Sequence, residues 1–117
     1  MNFASGFQVA QSRPSGTSAV SVFTATMPTE ITRVVVCNTT GGAVSASLYH
    51  DDDGSTFDAT TALMEAASIA ANDRIEIAMR VGSGIMVRKD GQIGVKTSSA
   101  NALTFTLYGG TANVAPL

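Results

Sequence analysis

Tryptophan is absent from this chain, and cysteine and histidine each occur once among 117 residues. Cys37 alone closes no internal disulfide, and one histidine beside it makes no Cys/His ligand set for a structural metal. Charge is scarce as well. Charged residues make up 14% of the sequence, where soluble domains carry about 25%. The net charge is −2, and Lys and Arg stand singly apart from Arg88-Lys89, which excludes the basic patch of a nucleic-acid binder. Uncharged apolar stretches fall well short of the ~20 residues of a membrane helix. No basic start followed by an apolar core marks a secretory leader. The sequence therefore predicts no nucleic-acid or membrane partner, no cofactor, and synthesis in a reducing cytoplasm.

At 12.0 kDa there is room for one domain, exposing roughly 6,000 Å² if monomeric. Seven basic and nine acidic side chains leave about one charge per 400 Å², thin cover for a free monomer. Assembly is the expectation, because part of this surface is left to be covered.

What is present repeats with period two. Ser18 to Thr26 alternates, and Glu30 to Asn38 (EITRVVVCN) is β-branched on both faces, as in a central strand. Ala43 to His50 alternates again, and the Thr39–Gly42 turn between these runs predicts a hairpin. Ala62 to Ala71 (ALMEAASIAA) has helical propensity, but its short-strand neighbours favour a strand. Arg74 to Arg80, Ile85 to Lys89, Gln92 to Thr97 and Leu103 to Tyr108 follow, separated by Asn, Asp, Gly and Ser turns, with a further hairpin signal at Asp90-Gly91. The prediction is an all-β fold: a single β-sandwich or jelly roll of about eight short antiparallel strands.

Domain organisation reads as an N-terminal arm over residues 1–16, a sandwich over 17–109 and a tail over 110–117. Phe3, Phe7, Val9 and Arg13 are the arm's candidate partner-binding residues, because apolar anchors among Gly and Ser suit a segment that orders against a partner. An N-terminal strand of the same sandwich is the alternative.

Catalytic chemistry finds little support. His50 is the only imidazole, and its neighbour Asp51 points to the opposite face of a strand. Asp51-Asp52-Asp53-Gly54 is the only cluster of hard oxygen ligands, but it lacks the spaced acids and closing Glu of a calcium loop. A solvated turn explains the same letters. Gly82-Ser83-Gly84 is too short for a phosphate loop, and Cys37 lies in an apolar run that suits a buried thiol. The sequence predicts no enzyme.

The runs Ile31 to Gly41 (ITRVVVCNTTG), Leu48 to Gly54 (LYHDDDG), Ile69 to Asn72 (IAAN) and Leu103 to Gly109 (LTFTLYG) carry a resemblance. Over roughly Ser18 to Gly109 the chain resembles small structural proteins of tailed bacteriophages, namely capsid decoration (cement) and head-fibre or spike proteins. The resemblance implies a virion protein on the outer capsid, assembled in the bacterial host cytoplasm, that bridges subunits of the major capsid protein as a homo-oligomer, a trimer or dimer. It supplies no catalytic residue. A carbohydrate-binding virion module for host attachment is the alternative, since lectins also use jelly rolls; the scarcity of aromatic rings weighs against it.

Overall fold

The computed structural model describes residues 6–111. Phe3 and the tail beyond Thr111 lie outside them. The described residues contain nine strands and no helix: β1 (Phe7–Ser12), β2 (Val20–Thr24), β3 (Thr29–Asn38), β4 (Val44–Asp51), β5 (Ala62–Ile69), β6 (Arg74–Ala78), β7 (Ile85–Val87), β8 (Gln92–Thr97) and β9 (Leu103–Thr111). The period-two reading of the sequence is thus realised almost run for run, including the ambiguous Ala62–Ala71 segment, which forms β5.

The strands form two antiparallel sheets. One runs β1-β9-β3-β6, with β7 also pairing β3, and the other runs β2-β8-β4-β5. The order is that of a jelly roll. The chain doubles back on itself between β4 and β5, so that β1 pairs β9, β2 pairs β8, β3 pairs β6 and β7, and β4 pairs β5. This long ribbon then curls, and β9 against β3 and β8 against β4 seal the two sheets.

That topology corrects the expected hairpin between β3 and β4. The two strands belong to different sheets and share no ladder. The turn between them is a crossing, and Asn38 organises it. Its side chain is fully buried. Its Nδ2 donates to the carbonyl oxygens of Gly42, Ile69 and Ala70, and its Oδ1 accepts from Thr40 N and Thr40 Oγ1. The Asp90-Gly91 hairpin signal is also a crossing, from β7 in one sheet to β8 in the other. There Ala25 accepts from Asp90 N and donates to the Gly91 carbonyl.

Alternation places Ile31, Val34 and Val36 of β3, Val44, Ala46 and Leu48 of β4, Ile93 and Val95 of β8, and Leu103, Phe105 and Leu107 of β9 in one core between the sheets. β3 is central, as its two-faced apolar pattern predicts. Gly109 is where β9 meets β3 most closely, and a Cβ there would strike the Glu30 carbonyl.

The division of the chain at residue 16 is also corrected. Phe7–Ser12 pairs with β9 as an edge strand, Val9 and Ala10 pack against the core, and β9 continues to Thr111. The N-terminal strand alternative is therefore the one found for residues 7–12, with a register shift between Gln8 and Ala10 that lets Val9 and Ala10 both reach the core.

Candidate interaction surface

The two ends of the sandwich differ. One end holds the turns at residues 39–43, 70–73 and 98–102, which are tight and internally bonded. Asn38 holds the first two together, Asn72 N donates to Thr40, and Asn101 N donates to Pro14. Asn72 and Asn101 take positive φ, at 55° and 57°, a conformation that asparagine tolerates better than most residues.

The opposite end holds the segments 25–28, 52–61, 79–84 and 88–91, and the described chain begins and ends there, with Phe7 opposite Gly109. Among the described residues, five of the six large apolar side chains that stand exposed lie at this end: Phe7, Met27, Leu63, Val81 and Met86, with Phe7 62% exposed. Val20 is the sixth. Phe7, Gly109, Ile31 and Ile85 stand in one cross-strand row over β1, β9, β3 and β7; Ile31 and Ile85 turn to the core, and Phe7 stands exposed at the row's outer edge. Methionine and phenylalanine exposed together offer adaptable apolar contact.

Polar side chains hold this end's loops from within. Glu30 Oε2 accepts from the backbone of Gly82 at 2.7 Å and of Gly84 at 2.8 Å. The Gly82-Ser83-Gly84 turn thus has the N–H geometry of an anion nest, but the chain's own carboxylate occupies it. A depression of about 470 Å³ beside it is lined by Gly6, Thr32, Arg33, Met79, Val81 and Tyr108, among others. Arg33 lies 4.8 Å over the Tyr108 ring, and its Nε meets Glu76 at 2.8 Å.

The acidic run is structural rather than merely solvated. Asp51 is buried and accepts from Asp53 N and Thr56 N. His50 does not meet Asp51 but Asp52, at 2.7 Å from Nε2, where the chain bends after the end of β4. Asp52 also accepts from Arg88 N, tying β4 to the turn after β7. The hydrogen bond with Asp53, then the N–H groups of Thr56 and Asp53, hold the Asp51 carboxyl below its ordinary value, and the same sharing pushes Asp53 up. Burial presses Asp52 upward, but Arg88 N–H, the His50 ring and the Arg88 charge outweigh it and hold Asp52 low. Thr60 lowers Asp58. Among the described residues no three His, Cys, Asp or Glu side chains converge as metal ligands.

Of the arm residues expected to bind a partner, Phe3 lies outside the described residues and Phe7 is exposed at this end. Val9 packs on the core, and Arg13 donates to Thr104 Oγ1 and the Asn101 carbonyl. Met27, Leu63, Val81 and Met86 carry no sequence signal of their own; only their places, Met27 and Val81 in loops, Leu63 at the start of β5 and Met86 in the short β7, bring them to the same end as Phe7. No protein-family model matches the chain, and no curated protein matches it.

Proposed function

We propose that this chain is a structural protein of a bacteriophage virion, a capsid decoration protein that binds across major-capsid subunits on the outer head surface. The observation that carries the reading is the asymmetry of the sandwich. One end is closed by tight bonded turns, while the other gathers exposed apolar side chains around the place where β1 starts and β9 ends. A lattice of capsid subunits presents the same seam many times, so a modest contact at each copy adds up across the shell. A rigid jelly roll suits that task, because little ordering entropy is lost when it docks.

The low charge density supports the same reading. The carbohydrate-binding alternative is less favoured. Tyr108 lies under Arg33, and Tyr49 is covered by Phe57, so neither tyrosine offers an open stacking face. A cryo-EM map of the particle whose genome encodes the chain tests the proposal. Density for the jelly roll over capsid seams, with Phe7 and Met86 toward the shell, is expected. Its presence only on tail fibres, or its absence from the particle, overturns the proposal.

A further inference from the structure

The outer face of the β2-β8-β4-β5 sheet carries a tyrosine that solvent does not reach. Tyr49 stands opposite Gly94 in the β4–β8 ladder, on the face away from the core, and is 2% exposed. The segment between β4 and β5 folds back over it. The Phe57 ring lies 6.1 Å from the Tyr49 ring, inclined by 31°. Gly94 supports the same ring from below: a Cβ there would stand 2.5 Å from the ring's Cγ and Cδ1. Glycine inside a central strand weakens it and marks such a close approach.

The rest of the segment is held by hydrogen bonds to its two flanks, among them those of the N–H and carbonyl of its middle residue Thr56. Asp51 takes Asp53 N and Thr56 N, Asp58 takes the Thr60 N–H and hydroxyl, and Thr61 Oγ1 donates to Thr56 O. His50 N donates to Thr61 O at one foot, and Asp52 holds Arg88 N at the other. Asp53, Ser55, Thr56, Asp58, Ala59 and Thr60 are exposed. Phe57 thus supplies the segment's apolar attachment.

We propose that residues 53–60 form a latch that opens as a unit, pivoting at Asp52 and Thr61, while both sheets stay paired. Phe57 is its catch, and opening uncovers the strip formed by Tyr49 and the bare backbone of Gly94. Segments with few buried apolar contacts open at free energies far below global unfolding, and cleavage by a protease follows the open population when closing is fast. This inference is independent of the capsid reading.

The test uses the full chain and its Phe57→Ala and Gly94→Ala variants. Three quantities are compared: cleavage by subtilisin within residues 53–60, nitration of each tyrosine by tetranitromethane, and the urea midpoint. Phe57→Ala is expected to raise loop cleavage and Tyr49 nitration by at least about tenfold, with Tyr108 nitration and the urea midpoint nearly unmoved. Gly94→Ala, which displaces the ring without removing it, is expected to give the same pattern. Wild-type protection in either variant overturns the latch. So does a rise in cleavage that merely follows a falling urea midpoint, which would make the segment part of the global unit.

Discussion

Asn38 Nδ2 donates to the carbonyl oxygen of Ile69 at 3.0 Å, joining the last residue of β3 in one sheet to the last residue of β5 in the other. With its bonds to Gly42, Ala70 and Thr40, this amide replaces the backbone ladder that a crossing cannot have. Replacing Asn38 with Ala leaves several buried groups unpaired and should cost about 3 kcal/mol, read from urea unfolding at pH 7. Asn38→Asp should fare no better, because the introduced carboxylate faces carbonyl oxygens that need donors. Its deficit should shrink as pH falls and that carboxylate takes up a proton. A loss under about 1 kcal/mol for Asn38→Ala would contradict the role given to this amide.

Glu30 does for the 79–84 loop what Asn38 does for the opposite end. Glu30→Ala removes the acceptor shared by Gly82 N and Gly84 N and should cost about 2 kcal/mol. Glu30→Gln keeps one carbonyl oxygen in place and should lose about half as much. Equal losses in the two variants would show that the hydrogen bonds to the loop are not what Glu30 contributes.

The carboxylates of the acidic run set an acid limit. Asp51, Asp52 and Asp58 sit below the ordinary value of 3.8 in the folded chain. Each therefore adds stability above that value and loses it as pH falls through the folded one. Asp53 is raised and works against folding once ionised, so its protonation relieves a cost as pH falls. Asp51 and Asp53 shift in opposite directions through the one hydrogen bond they share, so Asp52 and Asp58 are the groups through which acid destabilises the fold. The urea midpoint should drop as pH falls below about 4, and drop less in Asp52→Asn. A flat profile in the wild-type chain would contradict this assignment.

Removal of residues 1–11 strips β1 from β9 and uncovers the core behind Val9 and Ala10. Such an edge invites pairing with other chains. The truncated protein should melt lower or aggregate, seen by thermal CD and light scattering. A soluble truncated chain with an unchanged melting temperature would show that β1 is dispensable, as an external arm would be.

The all-β fold was legible because alternation reports which face each side chain takes. Partners are another matter. Val34-Val35-Val36, Thr39–Gly42 and Val44-Ser45-Ala46 read as two strands and a turn, and they are. Alternation nevertheless cannot tell a hairpin from a crossing, since both need a reversal rich in Gly and Asn. The burial of Asn38 decided it, and a polar residue at the end of an apolar run was the one signal available. Glu30 and Gly82 are 52 residues apart, so no local pattern could have paired them. At the candidate surface the acids of the 51–53 run were visible but their directions were not. Asp51 turned inward to take two N–H groups, while Asp52 turned to His50 and Arg88.

Binding to the capsid lattice is the most direct test of the proposed function. The purified chain would be sedimented with undecorated shells assembled from the major capsid protein that the proposal implies is encoded beside it, together with a Phe7→Asp, Met86→Asp double variant of equal melting temperature. The wild-type chain is expected to pellet with the shells at a fixed ratio to capsid subunits, and the variant to remain in the supernatant. A wild-type chain that stays in the supernatant, or a variant that pellets equally well, would contradict the reading of this end as the docking surface.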